Sequence, residues 1–157
     1  MIREIKGSVF DQNAEVICHQ ANCFNRMKSG IAAEIVKRYP EAVEADNRTE
    51  PGDKSKLGSY TCGVGVDHVH IINLYGQYNY GTDTRKTDYD ALKKALSEFR
   101  EDYRYSVVTG EPLTVAIPKN MGCGLAGGDW NVVRGIIADL FKDDKAFDIL
   151  ICDIEKG

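Results

Sequence analysis

Two glycine-bearing turns in this chain have the composition of backbone anion sites. The first is Ser29-Gly30-Ile31-Ala32, which follows the polar stretch His19-Gln20-Ala21-Asn22. The second is Gly122-Cys123-Gly124-Leu125-Ala126-Gly127-Gly128, with four glycines in seven residues. With few side chains in the way, amide N–H groups approach a phosphate or diphosphate closely, and a helix that starts there adds partial positive charge. The structural alternative is a pair of tight strand-to-helix connections, with Ser29 as a helix N-cap. Side chains with chemistry of their own stand nearby. Asn22 brings an amide that donates to one oxygen and accepts from a hydroxyl. His19 suits acid–base work near neutral pH, or else packs inward at the end of a strand. Asp129 either orients a water or sits at a helix N-terminus, where the macrodipole favours a carboxylate. A long loop over residues 75–86 carries Gln77, Tyr78, Tyr80, Gly81 and Arg85. Such loops in compact domains serve as lids or binding loops; otherwise Thr87 or Asp88 caps the next helix and the tyrosines face solvent.

The elements that must position these residues follow from hydrophobic periodicity. Residues 2–5, 15–20, 58–64, 68–74, 113–117 and 147–152 read as strands, the third and fourth joined by a turn around Gly65 and Asp67. Ile31, Ile35, Val36 and Tyr39 recur at helical spacing until Pro40 stops them, and residues 46–56 read as a loop. Tyr89, Leu92, Leu96, Phe99 and Tyr103 mark an amphipathic helix, and Trp130, Val133, Ile136, Ile137, Leu140 and Phe141 mark another. Strands interleaved with helices predict a layered α/β domain with helices on both faces of the sheet. Ligands in such folds sit outside the carboxyl ends of the strands. The loops after Gln20, Leu74 and Ile117 are therefore the candidate site.

Composition narrows the function. At 157 residues, 43% of them hydrophobic, the chain suits one globular domain, residues 1–157, with a single sizeable core. A net charge of −4 argues against an extended basic face for nucleic acid. An anionic ligand must then be held by local groups, which suits a backbone-amide site. The five cysteines (Cys18, Cys23, Cys62, Cys123 and Cys152) form no CxxC pair, and with three scattered histidines they give no metal-ligand spacing. No signal peptide or membrane span is read, so a reducing cytoplasm is the expected compartment.

Taken together, Gln20-Ala21-Asn22, Ser29-Gly30-Ile31-Ala32 and Gly122-Cys123-Gly124-Leu125 resemble the macrodomain family of ADP-ribose binders. The likeness runs from Lys6-Gly7 to the last strand. It is greatest to small single-domain members, the group with ADP-ribose-1″-phosphate phosphatases and terminal ADP-ribose protein glycohydrolases. The resemblance implies a three-layer α/β/α fold with a mixed central sheet and ADP-ribose in a cleft on top. It implies that Ser29, Gly30 and Ile31 clasp the diphosphate together with Gly122, Cys123, Gly124, Leu125, Ala126 and Gly127. Asn22 would touch the distal ribose, Val9 and Phe10 the adenine. The reading of the loop itself adds Tyr78 or Tyr80 as a cover for the distal ribose and Arg85 at a terminal phosphate, with Gln77 and Tyr78 counted among the ligand-binding residues.

Three departures from the family pattern stand out. Gly7 is followed by Ser8, where many macrodomains carry an aspartate that accepts the adenine amino proton. Lys28-Ser29-Gly30 replaces a commoner run of small glycines. The glycohydrolase branch uses a lysine after the central strand and an aspartate in the last loop, where this chain has Tyr75-Gly76-Gln77 and Ala126. His19 falls where the phosphatase-like branch has a histidine just before its asparagine. The resulting expectation is hydrolysis of a group from the distal ribose, with Asn22, His19 and Asp129 as the catalytic residues. It needs neither metal nor cofactor, because amide dipoles stabilise phosphate charge. The rival is a non-catalytic ADP-ribose reader. Expected partners are ADP-ribose or an ADP-ribosylated substrate, with nucleic acid only where ADP-ribosylated, no membrane, and a monomeric chain. A dinucleotide enzyme of Rossmann type is set aside, because no Gly-x-Gly-x-x-Gly follows the first strand.

Overall fold

Strands and helices interleave along the computed structural model, which describes residues 1–81, 83–104 and 110–154. The strands are β1 (Ile2–Lys6), β2 (Val16–Asn22), β3 (Tyr60–Val64), β4 (His70–Gln77), β5 (Leu113–Pro118) and β6 (Phe147–Asp153). The helices are α1 (Ile31–Arg38), α2 (Pro40–Asn47), α3 (Tyr89–Arg104) and α4 (Trp130–Phe141). All six strands join one sheet in the order β1-β6-β5-β2-β4-β3. Only β3 runs antiparallel to its neighbour, so the sheet is mixed. Thr82, part of the expected distal loop, lies outside the described residues.

Alternate residues of a strand face opposite sides, and here both sides are covered. Val16 and Cys18 of β2 pack with Leu92, Leu96 and Phe99 of α3 and with Val133, Ile137 and Phe141 of α4. Ile17 faces the other way, into a cluster with Ile35 of α1, Ala42 of α2, Ala116 and Leu150. This gives the three-layer α/β/α arrangement, and it explains why the central strands read as unbroken apolar runs. No helix among the described residues is long and apolar enough to cross a membrane.

Three elements depart from the sequence reading in ways that matter for the site or its frame. Pro40 ends α1 but also opens α2, where it occupies the first turn. A proline costs nothing there, because that position has no intrahelical partner for an N–H. Strands β2 and β4 each run past their predicted ends, to Asn22 and Gln77, and a bulge at Ala21/Asn22 shifts their register. The extension lifts Asn22 and Gln77 to the rim where the loops gather.

Candidate functional site

A cleft of about 880 Å³ crosses the carboxyl ends of the strands, within the size range of small-molecule sites. Cys152 and Asp153 of β6, Pro118 of β5, Gln20 to Asn22 of β2 and Gln77 of β4 line it in sheet order. It thus has a β6 end, with Ser8, Phe10 and Arg38, and a β4 end, with Arg26, Gln77, Tyr80 and Gly81.

The middle of the cleft is backbone. Helix α1 begins after Gly30, whose φ of +58° places it as N-cap with no side-chain cap bond. Ser29 is therefore not the cap expected from sequence, and it lines the cleft instead. Among the described residues, the N–H groups of Gly30, Ile31 and Ala32 donate to no protein acceptor. The same is true of the N–H groups of Gly122, Gly124, Leu125 and Ala126 across the cleft. All of these residues line the cavity. A helix start leaves its first N–H groups without intrahelical partners, and two sets of open donors facing one cleft suit an anion.

The glycine turn is fixed from behind. Thr87 is 2% exposed, and its Oγ1 donates to Gly122 O at 2.6 Å. Gln20 Nε2 donates both to Thr87 Oγ1 and to Gln77 Oε1, each at 2.8 Å. Lys86 N and Thr87 N both donate to Ala126 O, and Tyr89 OH accepts from Asp129 N. At Gly122, φ is +73° and a Cβ would lie 2.8 Å from Gln20 Oε1, so this position requires glycine. Lys86 and Thr87 thus form a strap behind the glycine turn, and helix α3 after it is capped by Asp88, whose Oδ1 accepts from Ala91 N.

At the β4 end, Asn22 is nearly buried, and its Oδ1 accepts from Phe24 N and Arg26 N while Nδ2 donates to Arg26 O. It shapes the loop and keeps one amide proton for a ligand. Lys56, 6% exposed, ties the same loop down by donating from Nζ to Cys23 O and Asn25 Oδ1. Arg26 lies over the Tyr80 ring at 4.2 Å and donates to its hydroxyl at 2.9 Å. Gln77 Nε2 donates to Asn79 O, so both ends of its carboxamide are engaged and it offers no nucleophile.

Several expected site residues do other work. His19 belongs to the cleft lining, in its floor, but has no exposure to solvent, and Nε2 is 2.6 Å from Asn73 Oδ1. Asn73 Nδ2 donates to Ala42 O and Thr61 Oγ1, which fixes Oδ1 toward the imidazole and makes Nε2 the protonated nitrogen. Nδ1 then carries the lone pair and has no partner. Burial pushes the His19 pKa down to about 4, against which the Asn73 bond acts only in part. The imidazole is thus neutral and closed to solvent at neutral pH. Asp129 is the N-cap of α4, its carboxylate accepting from Asn131 N on the surface outside the cleft lining. Val9 is core, 2% exposed, whereas its neighbour Phe10 does line the cleft. Tyr78 donates to Gly52 O and Arg85 lies over Tyr89, both away from the cavity. Gly127 has φ +75° and serves the turn rather than the cavity. Cys123 is half-buried outside the lining, and burial pushes its thiol up to about 11.

Of the expected ligand-facing residues, Phe10, Asn22, Ser29, Gly30, Ile31, Gln77, Gly122, Gly124, Leu125 and Ala126 meet around the one cleft. Sequence reasoning missed Arg26, Arg38, Lys119 and Asp153, which also line it. The rule that ligands gather at strand ends covers the end of β6 as well, and applied there it points to Asp153. Among the described residues no three His, Cys, Asp or Glu side chains converge into a metal-holding group.

No protein-family model matches the chain. An uncharacterized 17.5 kDa protein from the tk-vs intergenic region of Enterobacteria phage T4 is 34% identical over 143 residues, covering 87% of this chain and 88% of its own length. The macrodomain of Mycobacterium tuberculosis DarG superposes with a TM-score of 0.76 at 22% identity, over 99% of each chain. Thermosipho africanus DarTG, solved in complex with ADP-ribose, superposes with a TM-score of 0.72 at 15% identity, over 96% of this chain and 41% of its own. The chain belongs to one family with the 17.5 kDa phage T4 protein, and its fold is that of a macrodomain.

Proposed function

We propose that this protein binds ADP-ribose, free or attached to another molecule, and holds the diphosphate between its two backbone turns. The observation that carries the reading is the pair of facing sets of unpaired N–H groups, those of Gly30, Ile31 and Ala32 and those of Gly122, Gly124, Leu125 and Ala126. Gly30 heads one set and Gly122 and Gly124 stand in the other, so oxygens reach these glycine amides without meeting a side chain, and α1 contributes its positive end. The cleft extends to both sides of this centre, toward Phe10 for a base and toward Asn22 for a second ribose. Thermosipho africanus DarTG, which shares this fold over 41% of its chain and was solved in complex with ADP-ribose, supports the reading.

Hydrolysis at the distal ribose is the finer reading, and the geometry supports binding better. Of the three expected catalytic residues, Asp129 lies outside the cleft, His19 sits unexposed in its floor, and Asn22 lines the β4 end. The carboxylates lining the cleft are Glu34, paired with Arg38, and Asp153 at the far end. Assaying turnover of ADP-ribose-1″-phosphate and of an ADP-ribosylated protein beside binding separates enzyme from reader. Turnover of either by the purified protein would restore the hydrolase.

Binding itself is tested by melting. ADP-ribose at a hundred times its dissociation constant adds about 2.7 kcal/mol, which raises Tm by about 5–10 °C in a domain of this size. AMP and ribose-5-phosphate, which cannot bridge both turns, shift it little. An unmoved Tm at saturating ADP-ribose would sink the proposal.

The strap behind the glycine turn gives a second test. Thr87→Val removes the hydroxyl that Gly122 O accepts from, and ADP-ribose affinity falls about tenfold, or about 1.4 kcal/mol. Thr87→Ser keeps the hydroxyl and restores it. If serine binds no better than valine by calorimetry, the hydroxyl does not position the turn.

A further inference from the structure

The base end of the cleft has an acceptor and a donor where the family pattern leads one to look for a single aspartate. Ser8 stands in that aspartate's place, and its Oγ already accepts from Phe10 N at 3.1 Å. What remains to it is the hydroxyl proton, a donor. Asp11, the nearest acid in sequence, is exposed and does not line the cleft. Asp153 does line it, from the last residue of β6. The bond from Gly7 N to Asp153 O, 2.8 Å, brings this residue beside the Gly7-Ser8 corner although it is remote in sequence. Lys119 Nζ lies 3.4 Å from Asp153 Oδ2, and among the described residues Oδ1 has no protein donor. Glu34, the other carboxylate of the lining, is held by Arg38 Nε at 2.9 Å.

We propose that Asp153 and Ser8 together select adenine, with the Asp153 carboxylate accepting from the exocyclic amino group and the Ser8 hydroxyl donating to the adjacent ring nitrogen. The inference rests on the ADP-ribose reading above. The chemistry is one of matched edges. Adenine presents an amino donor beside the N1 acceptor. Hypoxanthine presents a carbonyl acceptor beside an N1–H donor, the reverse pattern. A carboxylate opposite that carbonyl faces lone pairs with lone pairs, and the serine proton meets another proton. Phe10 lines the same end of the cleft, its ring stacked with Tyr39 and Arg38 lying 4.6 Å from its centroid. An apolar ring is indifferent to base identity, so discrimination falls to the two polar groups.

The test compares ADP-ribose with its hypoxanthine counterpart, inosine diphosphate ribose, by calorimetry. The wild-type protein binds the adenine form about tenfold more tightly, the usual scale for one hydrogen bond to a charged group. Asp153→Ala weakens ADP-ribose about tenfold and leaves the hypoxanthine form unchanged or tighter, so the preference disappears. Asp153→Asn, an isosteric change, turns the group into one that can also donate, and the preference narrows through gain of the hypoxanthine form. The backbone bond to Gly7 survives both changes, and the melting temperature without ligand checks it. If the variants bind ADP-ribose with the wild-type preference intact, Asp153 does not read the base. If the wild-type protein binds neither compound, the ADP-ribose reading fails first, and that outcome is separate.

Discussion

Gly124→Val abolishes ADP-ribose binding, by about 100-fold or about 2.7 kcal/mol, while the unliganded protein melts as the wild type does. The two halves of this result come from one geometric fact. A Cβ built on Gly124 meets nothing within 4 Å, and the residue has no left-handed φ that a side chain would strain. Nothing in the protein therefore resists valine. Yet Gly124 lines the cleft, and its N–H is one of the unpaired donors of the glycine turn. The open space that accepts the isopropyl group is the space a phosphate must enter to reach those donors. Gly122 gives the contrasting case: there a Cβ collides with Gln20 Oε1 at 2.8 Å and φ is +73°, so Gly122→Val loses stability along with binding. Titration calorimetry and melting on the two variants separate them. Wild-type affinity in Gly124→Val would place the anion site elsewhere.

The contrast between these glycines also shows where sequence reading ends. Both turns were legible, because glycine between a strand and a helix is a local signal. So were the strands and α3, whose spacing of Leu92, Leu96 and Phe99 puts all three inside. Helix α2 was missed because Pro40 was read only as a stop, although proline also suits a helix start. The losses concentrate where facing direction matters. Val9 and Phe10 are neighbours, yet one is core and the other is cleft, and a short loop has no period that tells them apart. Asp129 could be placed at a helix start, but whether its carboxylate turned inward depended on Tyr89 and the strap packed beside it. The strand-end rule could have reached Asp153 at the close of β6, but only the pairing of β1 with β6 sets it beside Gly7 and Ser8. His19 is the hardest case, because its partner Asn73 is 54 residues away on the adjacent strand.

That buried histidine should make the protein lose about 3 kcal/mol of stability between pH 7 and pH 4, beyond what its surface groups cost. In the folded chain the His19 pKa is lowered to about 4 by burial, whereas the unfolded chain titrates near the ordinary 6.5. Between these values the unfolded state carries the extra proton, so acid favours unfolding. The contribution is intact above pH 6.5, shrinks as pH falls, and is gone near pH 4. The cause is visible in the network: Nε2 already donates to Asn73, and a proton added at Nδ1 would have no acceptor. Asp46 works in the opposite sense, since burial raises its pKa despite the hydrogen bond from Tyr75, and it gains its proton more readily when folded. The comparison must therefore be differential. His19→Gln keeps an N–H for Asn73 Oδ1 and removes the titration, while Asp46 and the surface pairs stay the same. Urea unfolding at pH 7, 5 and 4 should give a curve for His19→Gln that is shallower than wild type by about that same 3 kcal/mol. Parallel curves would mean that the imidazole is protonated inside the folded protein, with access to water or to the cleft, and would return His19 to the list of groups able to act on a ligand.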